Sequence, residues 1–118
     1  MARTVLVLCD DLMWLSRFSA VGQPLGIGVR GARTLEHARQ LLTQQPPSCM
    51  ILDLALGRAS DMLQELKPLL TPGIRLLAFG AHVDTASLAD ARAAGCDPVL
   101  PRSVMAERLA EELPRWAA

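Results

Sequence analysis

The chain has almost no lysine. Eleven of its twelve basic residues are arginine, and the single lysine is Lys67. It also lacks a charge excess, with twelve basic against twelve acidic side chains, which argues against a general nucleic-acid binder. Long apolar runs are missing too: "VLVL" and "MILDLAL" fall far short of the roughly 18 residues that a membrane span needs, and no signal-peptide pattern opens the chain. Three cysteines, Cys9, Cys49 and Cys96, are odd in number and have no C-x-x-C spacing, which suits buried reduced thiols rather than a disulfide framework or a zinc site. The expected setting is cytoplasmic, with neither membrane nor nucleic acid as partner.

What remains is an ordinary globular composition, 51% hydrophobic over 118 residues, enough for one core. Short apolar runs alternate with stretches of helical period. "TVLVLC" reads as a strand, and Asp11 as the cap of a helix lined by Leu15, Phe18 and Val21 that "GQPLG" ends. "IGVRGA" is the second strand. Thr34 caps a helix carrying Leu35, Ala38, Leu41 and Leu42, which Pro46 and Pro47 stop. "CMILDLAL" is the third strand, followed by a helix with Ser60 as cap and Leu63, Leu66 and Leu70 on one face. "IRLLAFG" is the fourth, and Asp84 or Thr85 opens a helix that Gly95 ends. "DPVLP" is the fifth, and Ser103 caps a last helix with Met105, Leu109, Leu113 and Trp116 at helical spacing. This alternation predicts a doubly wound, mostly parallel five-stranded α/β sheet of order 2-1-3-4-5, flavodoxin-like, with helices on both faces and a ligand crevice where the order reverses.

One carboxylate is out of place. Asp53 sits inside the apolar run "SCMILDLALG", where a charge is costly unless paired, hydrated or metal-bound. The predicted topology puts it near the end of strand 3, beside Asp10 and Asp11 at the end of strand 1, with Gly80 ending strand 4 and Arg102 following strand 5. Three carboxylates gathered there would repel one another unless a cation is shared, and an all-oxygen acidic set suits Mg²⁺. The alternative is that Asp11 is only a helix cap and that Asp53 is held by Arg102 or by backbone N–H groups.

"VLVLCDD", "MILDLAL" and "AAGCDPVLPRS", at these separations, resemble the receiver domain of two-component response regulators from about Thr4 to Leu113. The resemblance implies phosphorelay signalling of the bacterial kind. Asp10 and Asp11 would hold Mg²⁺ together with Asp53 and the backbone carbonyl of Ala55, and Asp53 would accept a phosphoryl group from a histidine kinase. The family's switch residues are not there. A Ser or Thr at the end of strand 4 is Gly80, the strand 5 aromatic is Val99 with no tyrosine in the chain, the lysine is Arg102, and no Met-Pro pair follows Asp53. Thr85 and Ser87 read as the first turn of a helix rather than as replacements. Arginine keeps the charge but suits a bidentate carboxylate clamp.

The expectation is therefore a single receiver-like domain over 1–118 with no output domain, a pseudo-receiver acting through protein contacts or as a homodimer, with phospho-switching at Asp53 atypical or absent. Its partner would be a histidine kinase or a downstream regulator. The alternative is a working Mg²⁺-dependent phosphoacceptor in which Arg102 replaces lysine. Any enzymology would be limited to self-catalysed phosphorylation and dephosphorylation of Asp53. "GIGVRG" matches G-x-G-x-x-G in letters but follows a helix stop and overlaps a strand, so it is set aside as a dinucleotide site. The two charges in "CDDLMW" exclude a flavodoxin-type phosphate loop. His37 and His82 read as solvated, and Trp14 and Trp116 as packing residues or a partner patch.

Overall fold

A computed structural model describes residues 3–118. Five strands, β1 (Arg3–Leu8), β2 (Ile27–Ala32), β3 (Cys49–Asp53), β4 (Arg75–Gly80) and β5 (Val99–Pro101), form one parallel sheet in the order 2-1-3-4-5. Between and after them run α1 (Leu12–Gly22), α2 (Leu35–Gln44), α3 (Ala59–Leu66), α4 (Thr85–Ala93) and α5 (Arg102–Trp116).

The two-residue period of the strands sorts their side chains between two cores. Val5, Val7, Cys9, Cys49, Ile51, Leu77 and Phe79 pack with Phe18 of α1 and with Met105, Leu109, Leu113 and Trp116 of α5. Leu6, Leu8, Met50, Leu52, Leu54, Leu76 and Ala78 pack with α2, α3 and α4 on the other face. Burial on both faces is why the central strands are apolar along Val5–Leu8, Cys49–Leu52 and Leu76–Phe79.

Several boundaries differ from the sequence-based expectation. The third strand stops at Asp53, and Leu54–Leu56 form a 3-10 turn, because the Asp53 side chain accepts the Ala55 N–H and turns the chain out of the sheet. Ser60 and Ser103 are not caps. α3 starts after Arg58 in a left-handed conformation (φ 53°), and α5 follows directly on Pro101, neither with a side-chain cap. The third helix ends at Leu66, because Pro68 lies in a 3-10 turn (Lys67–Leu69) and Leu70 is beyond it. Asp11, Thr34 and Asp84 do cap, each accepting backbone N–H groups of the next turn. In "GIGVRG", Gly28 and Gly31 lie within edge strand β2, and a Cβ at Gly31 would stand 2.9 Å from Leu15 Cδ2, so that glycine serves helix packing.

Candidate functional site

The side-chain period that buries Cys49 and Ile51 carries Asp53 to the same side of β3, at the strand's carboxyl end. Asp53 is the buried charged residue of the core, 2% exposed. Its Oδ1 accepts the Ala55 N–H at 2.9 Å and Nη2 of Arg102 at 3.1 Å. Its Oδ2 accepts the thiol of Cys9 at 3.2 Å. Both oxygens are thus partnered from within the chain, which is how the apolar run tolerates a carboxylate.

The arginine contact is one-handed. Only Nη2 reaches Asp53, while Nε is buried without a partner among the described residues, so the bidentate clamp expected of arginine does not form. Cys9 takes the oxygen that a second guanidinium nitrogen would have taken. Burial, above all, pushes the Cys9 thiol up to about 12, with the backbone N–H of Asp11 opposing and the hydrogen bond to Asp53 adding to the rise. The thiol therefore stays protonated and stays a donor. Sequence reading missed this role. The available signal was that Cys9 and Asp53 end neighbouring strands, but facing them needs the β1 to β3 register, in which Leu8 stands beside Leu52.

The other expected acids have partners of their own. Asp10 is exposed and pairs with Arg33, Nε to Oδ1 at 2.9 Å. Asp11 caps α1, accepting from Met13 N–H at 2.9 Å and Trp14 N–H at 3.4 Å. Asp10, Asp11, Asp53, Ala55, Leu56 and Arg102 line one crevice of about 490 Å³, so the topology gathers the residues that the sequence marked, Gly80 excepted. Three carboxylates and a carbonyl are the hard oxygen donors that Mg²⁺ prefers. Yet among the described residues no three acidic or metal-ligating side chains stand close enough to share an ion, because each carboxylate is turned to a guanidinium, a helix end or a thiol. As arranged, each of the three charges has a partner of its own within the chain.

Gly80 lies behind the crevice, buried against Leu54. Val99 is 7% exposed and packs in the core of the α2, α3 and α4 face. Thr85 and Ser87 form the first turn of α4, where Asp84 accepts the Ser87 N–H at 3.1 Å. His37 and His82 are exposed. Trp14 is half-buried and packs at a tilt against Phe79, centroids 4.8 Å apart, under the guanidinium of Arg17, whereas Trp116 is 2% exposed and is a packing residue. A larger groove of about 620 Å³ beside α2 mixes Glu36, Arg39 and Glu65 with aliphatic side chains and brings no catalytic set together. No helix of the described residues is long and apolar enough to cross a membrane.

No family model matches the chain, and no curated protein matches it. Solved structures do. A response regulator from Thermotoga maritima superposes with a TM-score of 0.83 at 15% identity, over 99% of this chain and 98% of that one. A beryllofluoride-activated receiver domain dimer, that of NtrC4, gives 0.81 at 20% identity, over 97% and 95%. A Saccharomyces cerevisiae receiver domain, solved with a histidine phosphotransfer protein, gives 0.80 at 14% identity, over 98% and 88%. The chain has the fold of response-regulator receiver domains.

Proposed function

We propose that this chain, built on the receiver fold, is a signalling module that works through protein–protein contacts and whose Asp53 does not operate a phosphorylation switch. The observation that carries the reading is the double engagement of Asp53. Arg102 and Ala55 hold one oxygen and Cys9 the other, so the nucleophile is not free, and Gly80 and Val99 provide neither hydroxyl nor aromatic ring to respond to it. Protein partners fit this reading, since one similar receiver domain was solved with a phosphotransfer protein and another as a dimer. A histidine kinase, a downstream regulator or a second copy of the chain would each meet a surface rather than a chemical step.

The second reading is an Mg²⁺-dependent phosphoacceptor, favoured by the crevice in which Asp10, Asp11 and Asp53 still meet. It requires Oδ2 of Asp53 to part from the Cys9 thiol and attack the donor's phosphorus as the donor's leaving group departs, while Oδ1 keeps Arg102 and the Ala55 N–H. Incubation with a small phosphodonor at millimolar Mg²⁺, followed by intact-mass measurement, separates the two. The proposed function predicts no added phosphoryl group; a phosphoryl adduct lost in Asp53→Asn establishes the second reading instead.

A further inference from the structure

Gly80 and Leu54 meet where β4 ends and the chain leaves β3. Asp53 stands beside Phe79 in the sheet register, so the next residues, Leu54 and Gly80, lie side by side. A Cβ added at Gly80 would stand 3.1 Å from Leu54 Cβ, 3.3 Å from Cδ1 and 3.6 Å from Cγ. Gly80 does not have the left-handed backbone of Gly26, Gly57, Gly73 and Gly95, so its lack of a side chain answers a shortage of room, not a demand of φ. Leu54 is 2% exposed and opens the 3-10 turn whose next N–H, that of Ala55, donates to Asp53.

We propose that Leu54 is a positioning residue: it plugs the space where a side chain at position 80 would stand and thereby fixes the turn that holds Asp53. At 2% exposure Leu54 has little room to swing its Cγ and Cδ1 aside, and its Cβ is tied to the backbone; Leu54→Ala removes the first obstacle and leaves the second. Any side chain at 80 therefore pushes on the segment carrying the N–H partner of Asp53. Adding a hydroxyl at 80 does not by itself rebuild a switch, because Leu54 occupies the volume that its branch needs. The inference deepens the proposed function but stands on packing, so its test requires no phosphorylation.

The experiment compares the parent chain with Gly80→Ala, Gly80→Ser, Gly80→Thr, Leu54→Ala and the Leu54→Ala/Gly80→Thr double variant, by thermal melting and by the Ala55 amide resonance. Gly80→Ala would ordinarily stabilise a strand. Here the melting temperature falls from Gly to Ala to Thr, by about 5 °C or more for Thr. Adding Leu54→Ala to Gly80→Thr lowers it further by much less than Leu54→Ala does in the parent chain. The Ala55 amide shifts in Gly80→Thr and returns toward the parent position in the double variant, while Leu66→Ala, in the same core but at the last residue of α3, leaves it in place. Should Leu54→Ala not fold, the Gly80 series alone decides, because a parent-like melting temperature and Ala55 resonance in Gly80→Ser and Gly80→Thr overturn the proposal. Additive losses in the double variant also overturn it. A phosphoryl adduct on the parent would defeat the proposed function and leave this inference standing.

Discussion

The crevice and the packing beside it, the two halves of the surroundings of Asp53, differ in chemistry. In the crevice polar groups meet polar groups: Cys9, Asp53 and the Ala55 N–H from the ends of β1 and β3, with Arg102 from the start of α5, form one connected set. Beside it the chain places hydrocarbon and empty backbone, with Leu54 against Gly80 at the end of β4 and Val99 of β5 in the core. The first half holds a charge, and in the second neither Gly80 nor Val99 brings a polar side chain toward it. A shared fold does not by itself carry a shared mechanism, since function lives in side chains placed on the fold.

The comparison can be broken from either side. The largest effect is expected on the hydrocarbon side: Leu54→Ala removes buried methyl groups and should cost about 2–4 kcal/mol in chemical denaturation, which a loss under 1 kcal/mol would contradict. On the polar side, Arg102→Ala strands Asp53 without its cation. A fully buried pair broken this way costs about 3–5 kcal/mol, but the Arg102 side chain is 36% exposed and water can enter, so about 1–3 kcal/mol is expected. Arg102→Lys, which keeps the charge, should lose less.

Next come the thiols. Burial raises Cys9 and Cys49 to about 12 and Cys96 to about 11, from an ordinary 9.0. Below pH 9 the thiols are protonated in both folded and unfolded chains, and their contribution is fully present. Above it the unfolded thiols ionise while the buried ones do not, so stability should fall as pH rises toward 11–12. Denaturation midpoints across that range should show a shallower decline in Cys9→Ala, which in addition loses about 1 kcal/mol at neutral pH for its hydrogen bond, whereas Cys9→Ser should lose less. An equal decline in Cys9→Ala would contradict the assignment. The smallest effect belongs to Asp10→Asn: the exposed pair with Arg33 should be worth less than about 1 kcal/mol and vanish in high salt.

The sheet and its crevice were legible in the sequence because alternating apolar runs and capping residues such as Asp11, Thr34 and Asp84 report local periodicity. The gathering of Asp10, Asp11, Asp53 and Arg102 followed from topology alone. Where β3 ends did not follow, because "LDLAL" is apolar on either side of Asp53 and only the bond from Ala55 N–H to that side chain turns the chain. The caps assigned to Ser60 and Ser103 failed for a similar reason: backbone geometry at Arg58 and Pro101 starts those helices without a hydroxyl. Cys9 as a partner of Asp53 and Leu54 as a neighbour of Gly80 both depend on register between strands distant in the chain. Composition and spacing do not encode that register.

The most direct measurement of the central claim is the amide spectrum of the chain, titrated with beryllium fluoride as a phosphoryl mimic in the presence of Mg²⁺, with Asp53→Asn as control. The account predicts no Asp53-dependent change beyond the rim of the crevice. Saturable shifts that spread through residues 80–101 and vanish in Asp53→Asn would contradict it, because they would show that the half without switch groups nevertheless switches.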